Sequence, residues 1–121
     1  MTKILIVDDS EALLEILAFL IKRHGDEPIT YYSAENIVDK VQQHKPDVII
    51  MDVLLQGVDG RELCKEIKAI EIIKHIPIIL MSASNRALED YKECKADAII
   101  EKPFDLPVIY DRINCVLRNK V

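Results

Sequence analysis

Short runs of consecutive apolar residues recur along the chain, and each is followed by a segment whose apolar residues are spaced three or four apart. The runs predict five strands, at 3–7, 28–32, 47–51, 76–80 and 97–100. The wider spacing predicts five helices, at 11–24, 34–43, 60–74, 85–94 and 105–118. Strands that are apolar at consecutive positions are covered on both faces, as in a parallel sheet between two layers of helices. The pattern therefore predicts a doubly wound α/β fold.

The predicted helices are bounded by residues that suit helix ends. Gly25 tolerates the left-handed conformation that stops the first helix. The other four helices are each opened by a residue able to cap an N-terminus: Ser33, Asp59, Ser84 and Asp105.

Polar side chains follow four of the five predicted strands. Asp8 and Asp9 follow the first strand, Asp52 the third, Ser82 the fourth and Lys102 the fifth. Each of them alone could cap a helix, end a strand, begin a turn or simply be solvated. Because parallel strands present their carboxyl ends at one edge of the sheet, where such folds bind ligands, we expect these residues to converge. Three carboxylates brought together repel one another, so the group needs a cation.

The residue types at this edge suit phosphoryl chemistry. Aspartate oxygens are ligands for a hard ion such as Mg²⁺ or Mn²⁺. Asp52 has apolar neighbours on both sides, which suits a nucleophile that forms an acyl phosphate. Lys102 would neutralise one phosphoryl oxygen, and the hydroxyl of Ser82 would donate a hydrogen bond to another.

Composition narrows the class of protein. The 121 residues carry a net charge of -5, which argues against direct binding to nucleic acid phosphates. No apolar run is long enough to span a membrane, and the N-terminus lacks a signal-peptide pattern, so we expect a cytoplasmic protein with 1–121 forming one domain. Cys64, Cys94 and Cys115 fit neither a disulfide framework nor a metal knuckle and are expected to be buried.

The ordered motifs at the strand ends resemble the receiver domains of two-component response regulators, along nearly the whole chain. The matching stretches are VDDS at 7–10, Asp52 within IIMDV, DG at 59–60, MSA at 81–83 and KPF at 102–104. The resemblance implies a flavodoxin-like (βα)5 fold with strand order 2-1-3-4-5. It also implies a signalling domain whose phosphorylation switches a surface for a downstream protein or a fused output domain.

The resemblance implies a role for each site residue. Asp52 would accept a phosphoryl group from the phosphohistidine of a sensor histidine kinase or a phosphotransfer protein. Asp8 and Asp9 would hold Mg²⁺, together with Asp52 and the backbone carbonyl of Leu54.

The resemblance further implies that Ser82 and Lys102 contact the phosphoryl group, and that the peptide before Pro103 is cis, which only an X-Pro bond makes inexpensive.

The sequence departs from the family pattern at several positions. Ile99 stands where the family commonly has a Tyr or Phe that swings inward on phosphorylation, so an aromatic switch is not expected here. Gln56, followed by Gly57, replaces a frequent Pro and suggests a looser loop beside the site. Lys95 replaces a helix-ending Gly. None of these changes removes a chemical group from the site.

Two other functions would use a similar fold and similar site residues. A Mg²⁺-dependent phosphohydrolase with an aspartyl-phosphate intermediate would need a substrate-enclosing cap, or a second carboxylate two residues beyond the nucleophile, where Leu54 stands. Flavin binding would need a phosphate loop rich in Gly and hydroxyl residues, where Asp8 and Asp9 would repel phosphate. The residues favour a phosphoacceptor signalling domain that catalyses only its own phosphoryl transfer and slow dephosphorylation.

Overall fold

The computed structural model of the protein describes residues 1–83, 93–102 and 104–118. Within them lie seven strands: β1 (Lys3–Val7), β2 (Glu27–Tyr31), β3 (Val48–Asp52), β4 (Leu54–Leu55), β5 (Val58–Asp59), β6 (Ile78–Ser82) and β7 (Ala98–Glu101). The same residues include four helices: α1 (Glu11–Arg23), α2 (Ile37–His44), α3 (Gly60–Lys68) and α4 (Leu106–Arg118). The helix predicted at 85–94 and its cap Ser84 fall mostly outside the described residues, and so does Pro103.

Five of the strands form one parallel sheet in the order β2-β1-β3-β6-β7. Strands β6 and β7 are the fourth and fifth of the predicted set, so the predicted order 2-1-3-4-5 is confirmed. Helices cover both faces, and the flavodoxin-like α/β fold predicted from the sequence is likewise confirmed. The connections run to one side of the sheet from β1 to β2 and to the other side from β3 onwards. A crevice for a ligand is expected at this switch point, at the carboxyl ends of β1 and β3.

Alternation along the three central strands, β1, β3 and β6, explains why they are apolar at consecutive positions. On β1, Ile4 and Ile6 belong to the core under α1 and α4, whereas Leu5 and Val7 belong to the core under α2 and α3. All four side chains are completely buried. The sheet therefore stands between two separate hydrophobic cores, and its polar residues are displaced to the strand ends.

Three of the helix starts follow from the sequence. Ser10 caps α1 by accepting the Leu13 N–H at 3.3 Å, and Asp59 caps α3 by accepting the Arg61 N–H at 2.9 Å. Asp105 accepts the Val108 N–H at 3.4 Å at the start of α4.

The predicted start of α2 is wrong. The Ser33 hydroxyl accepts the Glu35 N–H at 3.0 Å within a local turn, and the helix begins only at Ile37. The residue before it, Asn36, is left-handed and makes no side-chain cap. Short Ser and Asn side chains compete for nearby backbone groups in this way, which makes such boundaries ambiguous in a sequence.

Most of the other boundaries differ from the prediction by one residue, and the larger differences are at β6 and α3. Strand β6 starts at Ile78 instead of 76, because Pro77 has no N–H to donate to a sheet ladder. Helix α3 ends at Lys68 instead of 74, and the next residues form turns. Cys115 also departs from expectation, since it is exposed on α4 while Cys64 and Cys94 are buried.

In the described part of the chain, no helix has both the length and the apolar character needed to cross a bilayer.

Candidate phosphoacceptor site

The predicted site residues lie at the carboxyl edge of four adjacent strands. Asp52 and Ser82 are the last residues of β3 and β6, while Asp8 and Lys102 directly follow β1 and β7. In the sheet register Val7 is level with Met51, Asp52 with Met81, and Ser82 with Glu101. The parallel register therefore sets these residues in a row along one edge.

Three carboxylates meet at this edge. Asp8, Asp9 and Asp52 each place a carboxylate oxygen within 4.8 Å of the others. Asp8 is fully buried, Asp52 is 6% exposed, and Asp9 is exposed. The convergence that the sequence predicted for these three residues is what the structure shows.

Backbone groups fix the orientation of the two buried carboxylates. The Ser10 N–H donates to Asp8 Oδ1 at 2.9 Å, and the Leu54 N–H donates to Asp52 Oδ1 at 3.1 Å. The Asp8 N–H in turn donates to the carbonyl of Tyr31 at 3.2 Å, which ties the end of β1 to β2. One oxygen of each carboxylate is thereby engaged, and the second oxygen points to Lys102.

Lys102 joins the two buried carboxylates. Its ammonium donates to Asp8 Oδ2 at 2.9 Å and to Asp52 Oδ2 at 3.1 Å. Its backbone N–H donates to the carbonyl of Ser82 at 2.9 Å, so the lysine is anchored to the end of β6. Two carboxylates share one ammonium, and exposed Asp9 adds a third negative charge beside them.

The pKa values of Asp52 and Lys102 are both raised, for different physical reasons. Burial raises the pKa of Asp52, and the nearby Asp8 adds to this, although the Leu54 N–H and Lys102 act in the opposite sense. Burial lowers the pKa of Lys102, but the hydrogen bonds that its ammonium donates to Asp8 and Asp52 more than compensate, and its pKa is raised. Lys102 therefore stays charged at neutral pH. One ammonium does not balance three carboxylates, so the cluster keeps a net negative charge that a bound cation would neutralise.

The two remaining predicted residues occupy positions on the same edge. Ser82 is fully buried at the end of β6. Leu54 lies on β4 with its side chain 62% exposed, opposite Asp59 on β5. The role of the Ser82 hydroxyl and that of the Leu54 carbonyl stay predictions.

The loop after Asp52 is more ordered than expected. Strands β4 and β5 form an antiparallel hairpin whose two-residue turn is Gln56–Gly57, with Gly57 at a φ of +74°. A two-residue turn that ends in Gly is a common hairpin signal, so the sequence contained the information. The prediction of a looser loop is wrong.

Sequence reasoning assigned no role to Gly60, the first residue of α3. Its N–H donates to the carbonyl of Val53 at 2.7 Å, and a Cβ at this position would overlap the carbonyl oxygen of Asp52. The sequence signal was the DG pair itself, but only the tertiary structure shows what the glycine touches.

An apolar cleft of about 420 Å³ adjoins the site, lined by Leu13, Ala83, Lys102 and Phe104. It lies on the side of Lys102 that faces α1 and the start of α4. A partner that reached Asp52 from this side would meet mainly apolar side chains.

Comparison with known proteins agrees with this architecture. Residues 4–114 match the response regulator receiver domain family. Over 118 residues the chain is 32% identical to the alkaline phosphatase synthesis transcriptional regulatory protein PhoP of Bacillus subtilis, covering 96% of this chain and 48% of that protein. The chain thus spans about half the length of this curated relative.

Solved structures give the same picture. The signal receiver domain of a signal transduction histidine kinase from Syntrophus aciditrophicus is 30% identical, with a TM-score of 0.86, covering 98% of this chain and 92% of that one. The chemotaxis response regulator CheY4 of Vibrio cholerae is 27% identical, with a TM-score of 0.87, covering 97% of this chain and 99% of that one.

The doubly wound sheet, with an acidic cluster and a lysine at its carboxyl edge, has the architecture of an α/β receiver domain. The chain belongs to the response regulator receiver domain family of two-component systems.

Proposed function

We propose that residues 1–121 form one receiver domain, in which Asp52 takes a phosphoryl group from the phosphohistidine of a sensor histidine kinase or a phosphotransfer protein. One observation carries this proposal. Asp52 is a nearly buried carboxylate at the switch point of the sheet, 3.1 Å from the ammonium of Lys102. An ionised carboxylate at this place can act as a nucleophile without a general base.

The transfer exchanges one bond for another. A lone pair on a carboxylate oxygen of Asp52 forms the new P–O bond, and the P–N bond of the phosphohistidine breaks with its electron pair going to the imidazole nitrogen. The Lys102 ammonium already contacts the second oxygen of Asp52. After the transfer it would donate to a negatively charged phosphoryl oxygen. Ser82, at the end of the neighbouring strand, would donate its hydroxyl to another phosphoryl oxygen.

The donor set fits a small hard divalent ion. All three candidate side-chain ligands are carboxylates, and their oxygens are within 4.8 Å of one another. Asp8, Asp9, Asp52 and the backbone carbonyl of Leu54 would hold Mg²⁺, and Mn²⁺ accepts the same donors. When bound, the ion would neutralise charge on the phosphoryl oxygens and relieve the repulsion among the carboxylates.

The surface around Asp52 also indicates which kinds of protein the domain would bind. The apolar cleft beside Lys102 suits the phosphodonor protein, because a donor that reaches Asp52 from that side would contact Leu13 and Phe104. Phosphorylation would alter a second surface that is read by a downstream protein or a fused output domain. The net charge of -5 favours protein partners over nucleic acid.

The phosphohydrolase alternative gains no support from the site. Leu54 stands where such an enzyme would carry a second carboxylate, and its side chain is largely exposed to solvent.

Incubation with acetyl phosphate and Mg²⁺ tests the proposed acceptor. We expect intact-mass spectrometry to show a single added phosphoryl group that alkali removes, as for an acyl phosphate. Asp52→Asn should take up none, whereas Asp111→Asn, at an exposed position on α4, should be labelled like the wild type. Labelling that survives in Asp52→Asn would identify a different acceptor.

A titration with Mg²⁺ tests the metal ligands separately. Millimolar Mg²⁺ should shift the amide resonances of residues 8, 9, 52 and 54. In Asp9→Asn the affinity should fall by about tenfold or more, because one of three carboxylates is lost. Full affinity in that variant would remove Asp9 from the ligand set.

A further inference from the structure

Gly60 lies directly against the peptide that carries the proposed phosphoacceptor. A Cβ at Gly60 would overlap the carbonyl oxygen of Asp52 and would lie 3.0 Å from the Cα of Val53 and 3.1 Å from the carbonyl carbon of Asp52. All three atoms belong to the backbone, so none of them can rotate away as the end of a long side chain can. Any larger residue at position 60 must move either this peptide or helix α3.

Backbone conformation does not explain this glycine. Gly25 and Gly57 have φ angles of +98° and +74° and would have no heavy atom within 4 Å of an added Cβ. Gly60 is outside that left-handed region, and only the close approach requires it. The chain therefore contains two kinds of glycine, and alanine at each kind has a different physical effect.

The peptide under Gly60 is held from both sides. The Val53 N–H donates to the carbonyl of Met81 at 3.0 Å on β6, while the Val53 carbonyl accepts the Gly60 N–H at 2.7 Å. One residue further on, the Leu54 N–H holds Asp52 Oδ1 at 3.1 Å. A displacement of this peptide would therefore move the Asp52 carboxylate relative to Lys102.

Contacts within the first turn of α3 hold its shape. The Asp59 side chain accepts the Arg61 backbone N–H at 2.9 Å and forms an ion pair with the Arg61 guanidinium at 2.8 Å. Both contacts lie within the first turn, so a methyl group at position 60 would displace this turn and the Asp52–Val53 peptide relative to each other. The bond from the Gly60 N–H to the Val53 carbonyl carries that displacement to the strand end.

We propose that Gly60 is a positioning residue for Asp52. By allowing α3 to touch the Asp52–Val53 peptide, it sets the place of the Asp52 carboxylate and of the Leu54 carbonyl at the carboxyl edge of the sheet. This inference rests on the proposed function of Asp52. Displacement of reacting atoms by about 1 Å can cost about 100-fold in rate, so Gly60→Ala should slow phosphorylation by about tenfold or more.

The experiment compares three glycine-to-alanine variants of the full chain. Gly60→Ala adds the contact with Asp52, whereas Gly57→Ala and Gly25→Ala add only backbone strain. For each variant, chemical denaturation gives the stability, and acetyl phosphate with saturating Mg²⁺ gives the maximal rate and the half-saturating donor concentration. Mg²⁺ titration, with the Leu54 amide resonance as the reporter, measures the site without any reaction.

We expect Gly60→Ala to lower the maximal rate and the Mg²⁺ affinity and to shift the Leu54 resonance, all at a temperature where it is folded. Gly57→Ala and Gly25→Ala should lose stability and yet keep the rate within about twofold. A wild-type rate in Gly60→Ala, or equal slowing in all three variants, overturns the inference.

Failure of the proposed function would look different. In that case the wild type would take up no phosphoryl group. The Mg²⁺ affinity and the Leu54 resonance of Gly60→Ala would then test the positioning role without the reaction, and wild-type values of both would reject it. If Gly60→Ala is unfolded, the comparison is repeated with Lys45→Gly added to every variant to raise stability. Failure to fold in that background also overturns the inference, because Gly60 would then serve the fold as a whole.

Discussion

The charge of Asp52 is set by neighbours that act in opposite directions. Burial and Asp8 raise its pKa, while the Leu54 N–H and Lys102 lower it, and the raising influences prevail. A raised pKa in the folded state means that folding disfavours the ionised carboxylate. The carboxylate therefore costs stability at neutral pH, and this cost disappears as the pH falls below the ordinary value of 3.8.

We expect Asp52→Asn to raise the free energy of unfolding at pH 7 by about 1 kcal/mol in the absence of divalent ions. This gain in stability should shrink as the pH falls towards 3.8, because the wild-type carboxyl then becomes protonated and is uncharged like the asparagine. Urea denaturation of both proteins across this pH range gives the measurement. A loss of stability at pH 7 would show that the pairing with Lys102 outweighs burial and repulsion.

Among the residues that the structure describes, three other than glycine adopt positive φ angles: Asn36, Lys45 and Lys95. Lys45 closes α2 at φ 49° and ψ 59°, and its N–H donates to the carbonyl of Val41 at 2.9 Å. A side chain with a Cβ is strained there, whereas glycine adopts this conformation readily. No local pattern marks Lys45 for this conformation. Lys95 is different, because it replaces a helix-ending Gly of the family pattern, and a left-handed residue is common at such a position.

We expect Lys45→Gly to raise the free energy of unfolding by about 0.5–1 kcal/mol, because the strain of the left-handed conformation is removed. Lys45→Ala is the matched control, since it shortens the side chain but keeps the Cβ and should bring no gain. Thermal and urea denaturation of the two variants separate these cases. Equal stability of both variants would contradict the explanation by strain.

At the scale of elements, the sequence determined the order of strands and helices better than their ends. Runs of consecutive apolar residues identified all five sheet strands, and the signal is strongest for the central strands β1, β3 and β6, which are buried on both faces. The end of α3 could not be predicted, because Ile70 and Ile73 continue the helical spacing in a segment that turns instead. What holds that segment is a tertiary contact made by Lys68.

The Lys68 ammonium gathers three acceptors at the end of α3. It donates to the carbonyls of Lys74 and Ile76 at 3.2 and 2.8 Å and to Asp97 Oδ2 at 2.8 Å. Asp97 Oδ2 also accepts the Ile78 N–H at 2.8 Å. The lysine side chain is only 9% exposed, so this cluster connects α3, the turn before β6 and the start of β7.

We expect Lys68→Met to lower the free energy of unfolding by about 2–3 kcal/mol, since it leaves the acceptors without their cation but keeps the apolar stem. Lys65→Met, on the same helix, removes an exposed pair with Glu62 and should cost less than about 0.5 kcal/mol. Urea denaturation of both variants tests the contrast. Equal small effects would mean that water replaces the ammonium of Lys68 without loss.

For the whole molecule, the site depends on topology more than on any one element. The positions of Asp8, Asp9, Asp52 and Lys102 could be predicted, because the fold class alone places strand ends side by side. The close packing of Gly60 and the shared hydrogen bonds of Lys102 could not, because they depend on distances between elements. The sequence therefore indicated which groups meet, and the structure adds how they are held.

Ile99 and α4 provide contacts through which we expect the site to act at a distance. Ile99 is half-buried against the core under α2 and α3, and its carbonyl accepts the Nε–H of Arg112 on α4 at 3.1 Å. Two residues further on, Glu101 pairs with Ser82 in the sheet register. A movement of Ser82 towards a phosphoryl group would therefore reach α4 through β7, without any aromatic side chain that changes its position.

We expect beryllofluoride, which mimics a phosphoryl group on a carboxylate, to change hydrogen-exchange protection across 82–104 and in α4 as well as near Asp52. Arg112→Gln shortens the side chain and removes the Nε–H that donates to the Ile99 carbonyl. This variant should show a weaker change of protection in α4 and an unchanged response near Asp52. Protection changes confined to 8–10 and 52–60 would contradict this form of signalling, even if the phosphorylation chemistry is correct.

The ammonium of Lys102 meets a carboxylate that is 94 residues earlier in the chain and another that is 50 residues earlier. Contacts between such distant segments close late in folding, because the intervening chain must first lose its freedom. A nascent or partly refolded chain would therefore have its aspartates but no reactive centre until β7 has joined the sheet. During refolding, the ability to accept phosphate should arise in step with the complete sheet, so the reaction itself reports when the last strand is in place.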